Sequence, residues 1–298
     1  RNLTLKFNNE IVGEIPIDAL STKAPLYDRK WVKTKLPEKT GRVGLCYFLS
    51  DNGNIDAEAT IVKFNEDHAW YCSAAAAEYH DMDWLVERLP NGSNIQINSL
   101  TNTHTVLIIA GPKARSVMDA TCPRANFDQK KFPWMTAKPC FVGHVEAMVM
   151  AVSFSGEQAF EIHIPNIQLH AAYEALTKAG SEFSLKHFGM YAIESMRIEK
   201  GYGHWKGDFI TEFNPIEAGL TRFVDLSKEF PGKEGLQKQV ALGNRRERVL
   251  ISIDDDTAPA QHGETIFNGN IPVGTITSAA WGYRVGKNLA MAYVNPEH

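Results

Sequence analysis

Two carboxylates stand two residues apart in the stretch NGNIDAEATI, at Asp56 and Glu58. Successive side chains of a strand point to opposite faces, so a strand through this stretch places both carboxylates on one face. This spacing allows two interpretations. Either the pair belongs to a solvated sheet face, or a carboxylate is positioned there to hold or protonate an amine.

A further carboxylate, Glu161, lies between Phe160 and Ile162 in the stretch SFSGEQAFEIH. Strand alternation places Glu161 on the face opposite both apolar neighbours. It is then either an exposed strand residue or a ligand contact. A carboxylate can accept two N–H donors at once, which suits the amino-pyrimidinone edge of a planar heterocycle.

The nine residues from Arg197 to Trp205, RIEKGYGHW, contain an Arg, a Glu, a Lys, a Tyr, a His and a Trp. Arg197 could clamp a ligand carboxylate in the bidentate geometry that lysine does not provide. Tyr202 and Trp205 could stack on a ring or line its pocket. The alternative is that Arg197 pairs along its own helix with Glu194 or Glu199. The first interpretation predicts one wall of a pocket for a flat, polar, acid-bearing ligand.

Composition and charge exclude several classes of function. The chain has 298 residues, 44% of them hydrophobic and 22% charged, which is typical of a globular protein of about two domains. The net charge of −4 provides no basic field for nucleic acid or an anionic membrane. The longest apolar runs are of strand length, far below the roughly 20 residues that span a bilayer. We therefore expect neither nucleic acid nor a membrane as a partner.

The cysteines and the N-terminus indicate a reducing compartment. None of the four cysteines forms a CxxC pair or lies at metal-ligand spacing from a histidine, so no metal site is predicted. The opening RNLTLKFNNE has neither the apolar core of a signal peptide nor an Arg/Ser-rich transit pattern. We expect a cytoplasmic protein, or a mitochondrial matrix protein in a eukaryote.

Nucleotide-binding loops are absent from the sequence. Neither GxGxxG nor GxxxxGK[ST] occurs, and GYGHWKG lacks the preceding strand and the spacing of a dinucleotide loop. The chain itself is therefore not expected to bind FAD, NAD or ATP through such a loop.

Strands and helices alternate irregularly along the chain and are joined by hairpins, which predicts an α+β fold with largely antiparallel sheets. The predicted helices span residues 78–89, 114–121 and 167–179. The predicted strands include 42–50, 55–64, 69–74, 95–97, 105–110 and 160–164, with a hairpin over 142–154. After Lys238 the pattern changes to short strands separated by Gly and Asn turns, which is typical of a small β-barrel or sandwich.

Three regions follow from this pattern. Residues 1–40 contain three prolines and no persistent periodicity, and we interpret them as an extended arm or linker. Residues 41–238 form the main domain, and residues 239–298 form the C-terminal β-barrel.

Seven separated segments resemble a known family in the right order, over about residues 41–298. They are GRVGLCYFLSDNGNIDAEATIVKF, AAAAEYHDMDWL, LIIAGPKARSVM, VSFSGEQAFEIHIP, ESMRIEKGYGHWKGD, NPIEAGLTRFVDLSKEFPGKEGL and VGTITSAAWGYRVGKNLAMAYV. They resemble the tetrahydrofolate-dependent aminomethyltransferases, the T-proteins of the glycine cleavage system. Most of all they resemble the folate-binding C-terminal half of dimethylglycine and sarcosine dehydrogenases.

The resemblance implies three lobes around a central folate channel, the last lobe being a β-barrel. It also implies that a one-carbon unit passes from a substrate amine to tetrahydrofolate. In the dehydrogenases, an FAD-containing domain first oxidises an N-methyl group to an iminium, and the folate domain captures the carbon as 5,10-methylenetetrahydrofolate. The implied partners are a methylated amine or its iminium and, where FAD is used, a separate FAD-containing domain or subunit.

The family's functional residues match five positions of this chain. The catalytic Asp of the family falls on Glu58, which resembles the dehydrogenase-type members. The folate-holding Glu of the YxGExGxE motif falls on Glu161, and the motif's Tyr falls on Phe154, which keeps the ring and loses the hydroxyl. The Arg of the LRLE segment falls on Arg197, and the following Tyr falls on Tyr202.

The chain departs from the family pattern in three places. The family's opening segment with its DLS motif has no counterpart, and PLYDR resembles the connector before the folate half of the dehydrogenases. The Asn that T-proteins use near folate falls on Ala74, and the barrel is expected to end early, near Asn295. The resemblance therefore implies an incomplete folate domain. A glycine cleavage T-protein acting on a lipoyl carrier and a non-catalytic folate-binding fragment are the alternatives.

Overall fold

The computed structural model describes residues 39–65, 68–92, 94–255 and 257–297, and the backbone of two strands nearer the N-terminus. Those strands, β1 (Thr4–Phe7) and β2 (Glu10–Glu14), are antiparallel, and β2 also pairs with β6 (Asn98–Leu100). The interpretation of residues 1–40 as an arm or linker did not include this pairing. Most of that predicted region, residues 15–38, lies outside the described residues.

The described helices and strands alternate irregularly along the chain. The helices are Glu78–Glu87, Ala114–Thr121, Leu169–Ser181, Met190–Glu199 and Lys233–Leu242. The remaining strands are β3 (Arg42–Leu49), β4 (Ile55–Lys63), β5 (Ala69–Ser73), β7 (His104–Ala110), β8 (Ala137–Val142), β9 (Val145–Met150), β10 (Ala159–Pro165), β11 (Glu247–Ile253), β12 (Thr265–Asn268), β13 (Ile271–Gly282) and β14 (Lys287–Val294). All pairings between these strands are antiparallel. The predicted α+β class with largely antiparallel sheets is confirmed.

The first sheet of the main domain has the order β3-β4-β5 and carries the predicted carboxylate pair. Along β4, Ile55, Ala57 and Ala59 are buried, whereas Asp56 and Glu58 stay partly exposed. The buried face packs against helix Glu78–Glu87 in one core, because alternation directs every second side chain inward. Glu58 is thereby directed to the other face of the sheet, away from helix Glu78–Glu87.

The turn between β3 and β4 is held against helix Lys233–Leu242. Gly53 has a φ of +89°, and a Cβ there would lie 2.2 Å from the backbone nitrogen of Leu236. Only glycine combines this conformation with so close an approach of another backbone. The turn that the sequence predicts at DNGN therefore also anchors the later helix.

A second sheet, in the order β7-β10-β9-β8, packs on helices Ala114–Thr121 and Leu169–Ser181 around its own core. It carries Glu161 on β10. The predicted turn at Gly143–His144 joins β8 to β9. The strand predicted at 95–97 is wrong: Ile95 and Ile97 pack against the first core, and the strand lies just beyond, at β6.

The C-terminal sheet has the order β11-β14-β13-β12, as the short strands after Lys238 predict. Helix Met190–Glu199 packs on β13 and β14, and Ile198 shares a small core with Leu289 and Met291. The C-terminal sheet and the segment predicted to form a pocket wall are therefore in direct contact. Among the described helices, none has the length and apolar character needed to cross a membrane.

Candidate functional site

A cavity of about 620 Å³ lies where the first sheet, the second sheet and the segment after helix Met190–Glu199 meet. Its volume falls in the range of small-molecule sites, and aromatic side chains provide much of its wall. They are Tyr47, Trp134, Phe154, Tyr202, His204, Trp205, Phe209 and Phe223. Such a wall suits a flat ring.

Glu58 lines this cavity opposite Tyr47, its cross-strand partner on β3. The Tyr47 hydroxyl and the Glu58 carboxylate influence each other's protonation. Enclosure by the cavity wall raises the pKa of Glu58 from 4.5 to about 7, because the charged form loses water, and the Tyr47 hydroxyl only partly opposes this rise. The same burial and the nearby carboxylate raise the pKa of Tyr47 well above its usual value, so Tyr47 remains a hydrogen-bond donor. Glu58 can therefore exchange a proton near neutral pH.

Glu161 projects from β10 into the same cavity, with 28% of its side chain exposed. One carboxylate oxygen lies 3.6 Å from Nε2 of the buried His163, two residues further along the strand. Phe154 also lines the cavity, and its ring centroid lies 5.8 Å from that of His204. The structure thus brings Glu58 to the same cavity as Phe154 and Glu161, which belong to a segment about 100 residues further along the chain.

Asp56, the other member of the predicted carboxylate pair, is not among the residues that line the cavity. Its carboxylate lies 3.4 Å from Nε2 of His80, whose Nδ1 lies 2.9 Å from the buried Asp81. Tyr71 donates a hydrogen bond of 3.1 Å to Asp81, and burial raises the pKa of Asp81. The two neighbouring carboxylates of β4 therefore belong to different surroundings.

Arg197 corrects the expectation of a ligand clamp. Its side chain is 1% exposed and is absent from the cavity wall. Nε and Nη2 donate to Glu194 at 2.8 and 2.5 Å, while Nη1 donates to Asp208 and, at 3.1 Å, to the carbonyl of Tyr202. The guanidinium is drawn inward by two carboxylates, so the alternative of pairing with Glu194 is the one observed. Tyr202 itself lines the cavity.

Asp208 joins Arg197 to the rest of the molecule, and sequence reasoning missed it. The fully buried carboxylate accepts hydrogen bonds from Arg197, from the backbone N–H of His204 at 3.0 Å, and from the hydroxyls of Thr277 and Ser278 at 2.5 and 2.6 Å. The first two donors lie beside or within the cavity wall, and the last two lie on β13. We call these five residues the Asp208 cluster.

Among the polar side chains of the cavity that sequence reasoning missed are Tyr47, Arg222 and Arg248. The register of the β3–β4 hairpin could have found Tyr47, because it lies directly across from Glu58. Arg222 lies on a short turn and Arg248 at the start of β11, where no sequence periodicity indicates the direction of the side chain. Among the described residues, no group of three or more His, Cys, Asp or Glu side chains is placed to hold a metal ion.

Comparison with known proteins decides the family. The family model described as the GCVT N-terminal domain matches residues 26–228, and that of the glycine cleavage T-protein C-terminal barrel domain matches residues 246–298. The chain belongs to the glycine cleavage T-protein family. The predicted resemblance is thereby confirmed, and the family is one of enzymes with a folate-binding fold.

Two relatives represent the branches of this T-protein family that the sequence resembles. Human mitochondrial dimethylglycine dehydrogenase is 30% identical over 260 residues, which are 86% of this chain and 30% of the dehydrogenase. The aminomethyltransferase of Thermoanaerobacter pseudethanolicus is 25% identical over 261 residues, which are 87% of this chain and 70% of the relative. The chain thus spans less than a third of the dehydrogenase.

A solved structure supports the fold of this T-protein family member. The glycine cleavage system aminomethyltransferase T from Bartonella henselae superposes with a TM-score of 0.80, covering 98% of this chain and 78% of that one. The two sequences are 21% identical, so the likeness concerns the fold alone.

Proposed function

We propose that this chain transfers a one-carbon unit to tetrahydrofolate, capturing the methylene group of an N-methylated amine of the dimethylglycine or sarcosine type as 5,10-methylenetetrahydrofolate. The observation that carries the proposal is Glu58: a carboxyl with a pKa of about 7, directly across the strand pair from Tyr47, in the wall of an aromatic cavity. A base that is half ionised at neutral pH is suited to take a proton from an amine.

Tetrahydrofolate fits the cavity residues by their chemistry. The aromatic side chains would cover the two faces of its ring, and Tyr202 and Phe154 contribute to this wall. Glu161, whose carboxylate reaches the cavity, would accept two N–H groups from the amino-pyrimidinone edge. Tetrahydrofolate would supply the two amine nitrogens that receive the carbon.

Glu58 would manage the proton that the reaction releases. An iminium and tetrahydrofolate give 5,10-methylenetetrahydrofolate and the demethylated amine, which is secondary from dimethylglycine and primary from sarcosine, and two N–H bonds of the folate are lost. One of the two protons ends on the departing amine, and the other is released. Glu58 would accept the released proton and hold the attacking nitrogen in place. Both proton acceptance and orientation of the nucleophile lower the reaction barrier.

The source of the iminium would be an FAD-containing domain or subunit. The relative at 30% identity is named a dimethylglycine dehydrogenase, and the chain matches only 30% of its length. The remaining length of such a protein offers room for the oxidation. FAD would be bound there and not by the cavity described above.

An aminomethyltransferase of the glycine cleavage system is the second candidate. It is favoured by the match to 70% of the Thermoanaerobacter aminomethyltransferase. In that case the carbon would come as an aminomethyl group from a carrier protein. Release of methylenetetrahydrofolate and ammonia from an aminomethylated lipoyl carrier, in the absence of any amine oxidase, would favour this candidate over the first.

Calorimetric titration of tetrahydrofolate into the purified chain, under anaerobic conditions, tests the proposal. Saturable binding is expected, and Glu161→Gln should weaken it by roughly 10-fold or more, because the amide retains one acceptor oxygen and loses the charge. Glu146→Gln is the matched control, since Glu146 is exposed on the neighbouring strand β9. Absence of binding at millimolar tetrahydrofolate would refute an active folate domain. Unchanged affinity of the Glu161 variant would remove that residue from the site.

A further inference from the structure

We propose that a second cavity of the molecule docks an extended, apolar, acid-flanked peptide segment of a partner protein, which adds a strand to the second sheet beside β7. This edge cavity, of about 730 Å³, lies between residues 106–110 of β7 and residues 183–190. It shares no lining residue with the cavity that contains Glu58. On β10, Glu161 lines that cavity and Ile162 lines the edge cavity, because successive side chains point to opposite faces. The two sites are therefore separate.

The edge cavity follows the outer edge of β7. All five residues 106–110 line it. Side chains of consecutive strand residues alternate between the two faces, so a cavity that touches all five lies at the edge of the strand and not over one face. β7 is the outermost strand of its sheet and pairs with β10. At a rise of 3.3 Å per residue, the five residues provide an edge of about 16 Å.

The outer backbone groups of this edge are available for pairing. Every second residue of an antiparallel strand directs its N–H and C=O groups away from the neighbouring strand. The ladder with β10 accounts for the inner groups of residues 106–110, and no hydrogen bond from a described turn or loop reaches the outer ones. Such an edge is a template for a further strand. An extended peptide is therefore the class of ligand that satisfies these groups.

The wall opposite β7 is held in place by the preceding helix. The backbone N–H of Leu185 donates to the carbonyl of Gly180 at 3.0 Å, and a Cβ on Gly180 would lie 2.5 Å from the Leu185 side chain. The Tyr173 hydroxyl lies 2.8 Å from Nε2 of His187, within hydrogen-bond distance. These contacts fix residues 183–190 at both the start and the middle of the segment. The cavity is thus preformed, which reduces the cost of ordering it around a peptide.

The lining of the edge cavity selects apolar side chains. It is mostly apolar, and four of its large hydrophobic side chains are 40–66% exposed: Ile108, Tyr173, Phe188 and Met190. Exposed apolar side chains that gather in one concavity are typical of interaction sites. A strand placed beside β7 would cover them with every second side chain. The peptide should therefore be apolar on the face that it turns to the cavity.

Charge in the edge cavity favours an acidic partner. Lys113 and Lys186 line it and are exposed, whereas none of the described residues in its wall is Asp or Glu. None of the ion pairs within the described part of the chain includes either lysine. A second copy of this chain would present the same lysine-bearing surface. Charge complementarity thus favours a different partner, with acidic residues beside its apolar ones.

Calorimetry with a synthetic peptide tests the proposal. The probe is the acetylated and amidated heptapeptide Glu-Val-Thr-Val-Thr-Val-Glu, whose valines share one face and whose ends are acidic. Saturable binding is expected. Two derivatives carry N-methyl groups either on the valines or on the threonines, and each blocks one edge of the peptide. One derivative should bind at least about 10-fold more weakly than the probe and the other within about 2-fold, because consecutive N–H groups point to opposite edges.

Variants of the chain place the peptide at the edge cavity. Ile108→Asp should weaken binding of the probe by at least about 10-fold, since it puts a carboxylate into the apolar wall. Phe141→Asp is the matched control: Phe141 is 39% exposed, against 42% for Ile108, and lies on β8 at the other edge of the same sheet. Urea unfolding of both variants separates loss of binding from loss of fold. Replacing both glutamates of the probe by lysines should weaken binding by about 5-fold, and Lys113→Ala with Lys186→Ala should reduce this difference.

Several results would overturn the proposal. Equal affinities of the two methylated peptides exclude strand addition, and absence of binding at millimolar probe excludes the site. A dimer seen by analytical ultracentrifugation and dissociated by Ile108→Asp assigns the edge to a second copy. Saturable binding of decanoate without binding of the probe assigns the cavity to a small amphiphilic acid. Tetrahydrofolate affinity should stay within about 2-fold in Ile108→Asp, because the two cavities share no residue, so this proposal and the proposed function fail independently.

Discussion

The Asp208 cluster and the cavity wall beside it both contain arginines and carboxylates, but these side chains differ in burial and in their partners. In the cluster, Arg197 is buried and its donors are occupied by Glu194, Asp208 and a backbone carbonyl. In the wall, Arg222 is exposed and pairs with no acid of the described chain, and the pKa of Glu58 is raised to about 7. The first arrangement stabilises a fold, and the second leaves bonding capacity for a ligand. The cluster and the wall therefore differ in the burial and ion-pair partners of their side chains more than in residue type.

The largest effect on stability is expected from Asp208→Asn. It leaves the buried Arg197 paired with Glu194 but without its second carboxylate, and breaking a buried ion pair costs up to about 3–5 kcal/mol. Urea unfolding followed by circular dichroism should show a much lower midpoint, with tetrahydrofolate binding lost in parallel. A midpoint within error of the unaltered chain would mean that the cluster does not stabilise the fold.

The largest effect on chemistry is expected from Glu58→Gln, with the fold unaffected. Loss of a positioned base typically reduces rates by about 100-fold or more. The measurement is methylenetetrahydrofolate formation at a rate above the spontaneous condensation of formaldehyde with tetrahydrofolate, together with the unfolding midpoint. A variant that binds tetrahydrofolate normally and keeps its rate would show that Glu58 has no catalytic role.

A smaller, pH-dependent effect is expected from Tyr47→Phe. The active form of Glu58 is the ionised one, so the rate should rise with pH through a midpoint near 7 instead of 4.5. The Tyr47 hydroxyl lowers the pKa of Glu58, so its removal should move the midpoint to higher pH. A pH–rate profile of both proteins measures this shift. A midpoint that stays in place or falls would show that the hydroxyl does not stabilise the ionised carboxylate.

The smallest effect is expected from Arg222→Ala on stability. The side chain is exposed and has no ion-pair partner among the described residues, so the free energy of unfolding should change by at most about 0.5 kcal/mol. Urea unfolding under the conditions used for Asp208→Asn gives the comparison directly. If the two variants are destabilised equally, the distinction between cluster and wall is lost.

Sequence reasoning located the cavity carboxylates because strand periodicity and family motifs act over short distances. Glu58 and Glu161 lie on strands whose alternating neighbours are buried, so their direction follows from the local pattern. The family motifs also located Phe154 and Tyr202 in the wall. That these positions share one cavity followed from the resemblance alone, since each lies on a different element.

The errors arose where partners come from distant parts of the chain. Arg197 turns inward because Asp208 follows 11 residues later and is itself held by hydroxyls of β13, about 70 residues further on. No local pattern contains that information. Arg222 lies on a turn, where the direction of a side chain depends on packing rather than on periodicity. The predicted strand at 95–97 had the right composition but no neighbour to pair with.

The bonds from Thr277 and Ser278 to Asp208 place one carboxylate between the C-terminal sheet and the backbone of the cavity wall. Packing of the C-terminal sheet and ordering of the cavity wall therefore both depend on the hydrogen bonds of Asp208. Because coupling free energy is reciprocal, a ligand that stabilises the ordered wall also stabilises the packed sheet through these bonds. Ligand binding in the cavity is then expected to reduce local unfolding of β13, although no residue of β13 lines the cavity.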